Sequence, residues 1–279
     1  MIFQPSLRIL TILGLTLLST LLLSIEAKAI IGGKYVAPGA PLERQVALIG
    51  VIGEIYGIPA ISNCTGTFIN ERVVLTAAHC FKTIKPTSVT ISMGVDADRR
   101  PVFSTTALKI ARFTSESAVV RERSDVALIL TKDPIPKNFI VTKLAKRQPT
   151  LPGVAMAAGY GDESEVSSMI EYVPPALKVL RMVITQTPDF QEGMVAALAG
   201  DNTRTAHGDS GGPLFVMQDG EFVQAGVLNG GKYDPELTYD RSVYASTILN
   251  RAWIDQTSIM LHGTQPRSAW NLGALLFWK

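Results

Sequence analysis

An all-β fold of sandwich or barrel type, with one helix near its C-terminus, is what this 279-residue sequence predicts. Three observations lead there. Apolar and alternating runs are short and recur along most of the chain. Turn residues break them, with 23 Gly and 16 Pro available. Only one stretch, close to the end, spaces its apolar residues as a helix does. Hydrophobic residues make up 47% and charged residues 18%, with a formal net charge of +2. Such a chain has ample material for a core and is not intrinsically disordered. Its near-neutral balance lacks the basic footprint of a nucleic-acid binder. The length allows one large domain or two of about 100–150 residues each.

The elements follow in order. Residues 1–29 read as an export signal: Arg8 gives the positive start, Ile9–Ile25 an uncharged Leu-rich run, and Ala27-Lys28-Ala29 a small-x-small cleavage site. The competing reading is a retained anchor, for which the apolar run is at the lower edge of a membrane span. Strand-like segments then appear at Gln45–Ile52, Gly66–Phe68, Val73–Thr76, Ser88–Ser92 and Asp125–Leu130. Pro134, Pro136 and Pro149 among Lys132, Lys137, Lys143, Lys146 and Arg147 mark a linker. A second set of strand-like segments covers Val154–Ala158, Leu177–Ile184, Pro213–Val216, Phe222–Leu228 and Ser242–Ala245. The helix holds Leu249, Trp253 and Leu261, with Thr247 or Asn250 as its N-cap. The apolar stretch Ala269–Trp278 is too short to span a bilayer as a helix.

Three segments carry chemistry: Leu75-Thr76-Ala77-Ala78-His79-Cys80, Ser124-Asp125-Val126-Ala127-Leu128, and Gly208-Asp209-Ser210-Gly211-Gly212-Pro213. A serine hydroxyl is a poor nucleophile until an imidazole accepts its proton. A carboxylate fixes the imidazole tautomer and stabilises the imidazolium that forms. Negative charge developing on a carbonyl oxygen needs fixed N–H donors. Glycines beside a serine let the backbone approach a substrate closely. Three His and two Cys without paired-ligand spacing do not make a metal site, and no phosphate-cradling loop precedes a helix.

These segments, in the order His, Asp, Ser, resemble the trypsin-like serine proteases of chymotrypsin fold in their secreted bacterial form. The resemblance runs from Ile30 to about Ile254. It implies two six-stranded antiparallel Greek-key β-barrels: residues 30–145 would carry His79 and Asp125, and residues 146–279 would carry Ser210, the C-terminal helix and the tail. It implies His79 as general base, Asp125 as its orienting carboxylate and Ser210 as nucleophile, with the amides of Gly208 and Ser210 as oxyanion hole. Ile30-Ile31-Gly32-Gly33 looks like the family's activated N-terminus, whose ammonium pairs with the aspartate before the nucleophile, here Asp209. Signal cleavage before Ile30 would then create it directly. Gly159-Tyr160-Gly161 resembles the Gly-Trp-Gly that opens the second barrel's activation region. Cys64 and Cys80 fall where the family places a disulfide beside the histidine; two buried free thiols are the alternative. The resemblance implies no cofactor and no metal. It implies a polypeptide substrate, a protein inhibitor as a further class of partner, no nucleic acid, and no stable membrane anchor once the signal is removed. The location would be secreted or periplasmic.

The sequence departs from the family at the specificity pocket, expected from Arg204, Asn229, Gly230, Gly231 and Ser242. Trypsin-like specificity needs an Asp six residues before the nucleophile, and here Arg204 stands there. A cation at that place would repel Lys and Arg side chains and pair with a carboxylate, giving a preference for acidic residues before the scissile bond; the competing reading has Arg204 bonded to Asp201 or to neighbours of Asp209, or turned to solvent, which leaves a shallow uncharged pocket. Asn229-Gly230-Gly231 replaces the usual Ser-Trp-Gly, which opens the subsites. Two other functions compete. A non-catalytic binding module could use the same scaffold, though such proteins typically lose a triad member. An esterase with a Gly-x-Ser-x-Gly elbow would order its triad Ser, Asp, His, which this chain does not.

Overall fold

The computed structural model describes residues 30–161, 176–185, 194–198, 203–233, 240–262 and 276–277. The expected export signal, residues 1–29, lies outside them, as does most of the 255–279 tail after the helix.

Six strands form the first barrel: β2 (Val46–Ile55), β3 (Ile58–Phe68), β4 (Val73–Thr76), β5 (Lys85–Met93), β6 (Phe103–Arg112) and β7 (Ala127–Thr131). Their spatial order is β6-β5-β2-β3-β4-β7, and pairing of β6 with β7 closes the ring. The second barrel comprises β8 (Gly153–Gly159), β9 (Lys178–Thr185), β10 (Met194–Leu198), β11 (Pro213–Gln218), β12 (Glu221–Tyr233) and β13 (Asp240–Ser246). It runs β9-β10-β13-β12-β11-β8 and closes through β8 and β9. Closure removes the open edges that a flat sheet would expose. The two-barrel, all-β fold with a C-terminal helix expected from the sequence is the one found.

Local chemistry explains the hairpins. Tyr56 and Gly57 join β2 to β3 with φ of 52° and 80°, and Asp219 and Gly220 join β11 to β12 with φ of 54° and 79°. Two consecutive left-handed residues match the right-handed twist of the flanking strands. In β2, Ala47, Ile49 and Val51 point into the first barrel's core, while Val46 and Leu48 join a cluster with Ala158, Tyr160 and Phe215 of the second barrel. The first half of this strand is therefore apolar on both faces, because one face lines a core and the other a barrel–barrel seam.

The chain ends cross over. Lys34 and Tyr35 form β1, which pairs with β9 of the second barrel. The C-terminal helix, α2 (Arg251–Leu261), sends Ile254 and Leu261 into the first barrel's core. Leu276–Phe277, β14, pairs with β6. A short helix, α1 (Ala118–Arg123), precedes β7; Ser117 caps it by accepting the N–H of Val120. Asn250 does occupy the N-cap position of α2, but its amide donates to the carbonyls of Ser246 and Arg123 instead of capping the helix. Among the described residues no helix is long and apolar enough to cross a membrane.

Cys64 and Cys80 form a disulfide with Cα atoms 6.4 Å apart, so the alternative of two free thiols does not apply. It closes a loop with a sequence separation of 16 that contains His79. In chain-entropy terms such a closure contributes about 3 kcal/mol.

Candidate active site

His79 sits in a single 3-10 turn, Ala78–Phe81, directly after β4. Asp125 lies between α1 and β7 and is 7% exposed. The two side chains meet: His79 Nδ1 and Asp125 Oδ2 are 2.5 Å apart. The second carboxylate oxygen accepts the backbone N–H of His79 at 2.8 Å. Both oxygens of the buried carboxylate thus fix one residue, its ring and its main chain together. The pairing requires Nδ1 to carry the proton, which leaves Nε2 as the base nitrogen in the neutral ring. The His79 side chain remains 35% exposed, open to an incoming group.

Ser210 belongs to a turn of the other barrel, between Asp209 and β11, and its carbonyl lies 3.9 Å from Cys80 Sγ, beside His79. Its turn is held by Thr65 of β3: the Thr65 N–H donates to the Ser210 carbonyl at 2.8 Å, and Thr65 Oγ1 donates to the Gly208 carbonyl at 2.8 Å. Gly211, with φ of 82°, packs so tightly that a Cβ there would lie 2.1 Å from Thr76 Oγ1 and 2.4 Å from the Thr65 carbonyl oxygen. Glycine is required because the turn abuts the segment that carries His79. With the Gly208 and Ser210 carbonyls bonded to Thr65, neither residue's N–H has an acceptor among the described residues. The N–H groups of Asp209 and Gly211 between and after them donate to Ala206 and Leu228. The Ser210 hydroxyl likewise has no hydrogen bond among the described residues, to His79 included. Such contacts are often loose without substrate and tighten in the complex.

Asp209 is 1% exposed, and its carboxylate accepts the N–H groups of Gly161 at 2.7 Å and Ala206 at 2.8 Å. This explains Gly159-Tyr160-Gly161. A Cβ at either glycine would lie 2.2 or 2.4 Å from a carboxylate oxygen of Asp209. Tyr160 between them donates its hydroxyl to the carbonyls of Gly94 and Val46 in the first barrel. Its complete burial pushes the phenol well above the ordinary tyrosine range, so it stays a neutral donor.

Ile30 is fully buried among residues of the second barrel, including Leu214 and Tyr244. The next residue, Ile31, bridges to Arg204, whose N–H donates to the Ile31 carbonyl at 3.1 Å. Asn229 is displaced from the ladder by a bulge between Leu228 and Gly230 of β12, and it lines a cavity together with His79 and Asp125. Gly230 and Gly231 pair with Val243 and Ser242 of β13. Ser242 is buried, its hydroxyl 2.8 Å from that of Thr205. A Cβ at Gly230 would meet nothing within 4 Å among the described residues.

Sulfur and nitrogen atoms of Cys64, His79 and Cys80 lie within 4.8 Å of one another. Both sulfurs are bonded to each other, and a disulfide lacks the thiolate charge that binds a metal. The cluster is not a metal site.

Sequence reasoning missed Thr65, which holds the Ser210 turn and also accepts the N–H of Tyr160 on its Oγ1. Replacing it with isosteric valine, Thr65→Val, removes one bond to Gly208 and strands the buried Tyr160 amide. A loss of about 1–3 kcal/mol is expected by denaturant unfolding; an unchanged midpoint would show that the clamp contributes nothing.

Comparison with known proteins follows the same lines. Trypsin delta and Trypsin gamma of Drosophila erecta are each 26% identical over 204 residues, covering 69% of this chain and 77% of each relative. These are insect proteins, so they lend no support to the bacterial form of the resemblance. The crystal structure of a scabies mite inactivated protease paralogue, S-I1, superimposes with a TM-score of 0.64 at 18% identity, covering 84% of this chain and all of that one. The likeness is one of fold. The family model named Trypsin matches residues 44–254, and with most of the chain covered, the protein belongs to the trypsin family.

Proposed function

We propose that the chain is an exported serine endopeptidase that cuts polypeptides through His79, Asp125 and Ser210. The observation that carries this reading is the His79–Asp125 pair beside two N–H groups, of Gly208 and Ser210, that have no acceptor among the described residues. The Ser210 hydroxyl attacks the scissile carbonyl while His79 Nε2 takes its proton. The carbonyl oxygen, now negative, is held by the two amides. Collapse breaks the C–N bond as His79 returns the proton to the leaving amine, and the acyl group stays on Ser210. Water, deprotonated by the same imidazole, then attacks the ester, releases the acid and restores the hydroxyl. A fluorophosphonate should label the protein at Ser210, and Asp125→Asn should lower kcat by roughly 10⁴-fold. Absence of labelling in correctly processed protein would instead favour a non-catalytic binding module.

Processing before Ile30 creates the active N-terminus. Ile30 has φ of 42°, in the left-handed region that a β-branched residue rarely adopts. Holding it there costs about 1–3 kcal/mol. The angle exists only while Ala29 is attached, so cleavage at 29/30 releases the strain. The freed ammonium pairs with Asp209, whose carboxylate is already buried, and this fixes the amides of Gly208 and Ser210. Breaking a buried pair from one side costs about 3–5 kcal/mol. Asp209→Asn should therefore lose roughly 10²–10⁴-fold in activity and keep its fold by circular dichroism. N-terminal sequencing of the exported, active protein should begin at Ile30, and any other first residue overturns this mechanism.

The pocket containing Arg204, Gly230, Gly231 and Ser242 takes an acidic side chain, with Asn229 at its rim. Arg204 is half-buried and its main chain is tied to Ile31, which supports a fixed cation there. Cleavage of a peptide pool randomised before the scissile bond should favour Glu and Asp; a preference for Lys, Arg or apolar residues would refute the assignment. Protein inhibitors that present such a residue are the further partners this site would accept.

A further inference from the structure

A cavity of about 360 Å³ opens beside the His79–Asp125 pair. Three of the residues that line it, Lys82, Arg112 and Arg121, are cations, and Phe113 and Ala118 supply apolar wall. Among the described lining residues Asp125 is the only carboxylate, and both its oxygens are engaged by His79. Among these residues the three positive charges therefore exceed the negative charge.

Two of these cations are held in place without being neutralised. Arg112 donates to the carbonyl of Phe81 at 2.8 Å. Arg121 donates to the carbonyls of Ser115 and Glu116. Carbonyls orient a guanidinium but carry no net charge, so each fork is preorganised and still seeks an anion. Lys82 is exposed on the rim and has no ion pair among the described residues. Cations gathered in a concave, partly apolar site focus their field on whatever enters it. Asn229, on the bulge of β12, forms part of the wall contributed by the second barrel. A polypeptide lying along Asn229-Gly230-Gly231 therefore passes the cavity mouth.

We infer that this cavity is a second selection site, which takes a Glu or Asp side chain of the bound polypeptide at a position other than the one entering the Arg204 pocket. The inference rests on the proteolytic reading of the site. The carboxylate accepts from Arg121 and Lys82, and its methylene stem lies on Phe113. Specificity then comes from two residues of the substrate, each read by a cation on a different barrel.

The test uses processed full-length protein carrying Ser210→Ala, so that peptides bind and are not cut. Hexapeptide pools, each with one position fixed as Glu or as its isostere Gln, are titrated against it. One position besides the residue preceding the cut should bind Glu roughly tenfold more tightly than Gln, equivalent to about 1.4 kcal/mol. That contrast should shrink to within about twofold when Lys82→Gln and Arg121→Gln are added, and Lys82→Arg with Arg121→Lys should restore it. Thermal unfolding of the added variants shows that the fold is kept. Equal binding of Glu and Gln at every such position overturns the inference, as does a contrast that survives Lys82→Gln and Arg121→Gln. Failure of the proteolytic reading looks different: no fluorophosphonate labelling of the unsubstituted protein, with the Glu preference intact.

Discussion

The turn that bears Ser210 is held by a strand of the opposite barrel, and the rest of the site depends on that contact. Thr65 uses its main chain for the Ser210 carbonyl and its side chain for the Gly208 carbonyl. Its neighbour Cys64 is bonded to Cys80, which follows His79. One stretch of β3 thus ties the Ser210 turn to the His79 turn across the seam. A slip of one residue in the register of β3 would turn the Thr65 side chain to the other face and break the clamp. The site is a product of barrel docking, so it forms only when both barrels have folded and met. Apolar contacts supply the adhesion, through Val46, Leu48, Tyr160 and Phe215. Hydrogen bonds supply the register.

Burial of Asp209 imposes the second constraint. A carboxylate with almost no solvent contact needs donors, and a lost partner is costly. Among its donors are two N–H groups from segments that must lie very close: Gly161, beside a carboxylate that leaves no room for a Cβ, and Ala206, three residues upstream. The chain reverses sharply between Ala206 and Gly211, and this reversal turns the carbonyls of Gly208 and Ser210 toward Thr65. The same bend that satisfies the buried acid therefore leaves the two N–H groups without an acceptor among the described residues. A pair of N–H donors without an acceptor among the described residues is a geometric consequence of where Asp209 is placed.

Much of this was legible in the sequence, for a physical reason. The chemistry is confined to three contiguous segments, and close approach demands glycine at fixed places, so Gly208 and Gly211 flank Ser210 visibly. Short strands that are buried almost throughout were legible too, at Val73–Thr76 and over Pro213–Val216 of the longer strand β11. The strand β6 was not: its Ser, Thr and Lys residues alternate poorly, because parts of it face solvent on both sides. Most of β3 was also hidden, since its first half, from Ile58 to Asn63, projects as an exposed hairpin arm, and only Gly66–Phe68 near its end was read as strand. Met194–Leu198 carries small residues whose pattern gives little sign of a strand. Thr65 could not be found at all. A threonine in a strand has many roles, and which carbonyl it meets depends on a pairing of segments 143 residues apart. Of the two expected caps, Thr247 and Asn250, the second occupies the position without making the bond: its amide donates to the carbonyls of Ser246, four residues upstream, and Arg123, and its oxygen accepts none of the helix's first N–H groups.

Rigidity is unevenly distributed over the site, and this separates chemistry from selection. The elements that orient His79 and the Ser210 turn are fixed by main-chain bonds and by clashes that forbid a methyl group, so few side-chain changes there are neutral. The walls around them are built differently. Asn229 rides on a bulge, Gly230 borders open space, and Lys82 and Arg121 reach the cavity from exposed positions. Bulges re-aim a side chain without disturbing the ladder on either side, and exposed charges alter encounter and preference more than folding free energy. A trypsin-family scaffold can therefore change what it binds by altering charge on these walls, while the seam between the barrels continues to hold the reacting groups in place.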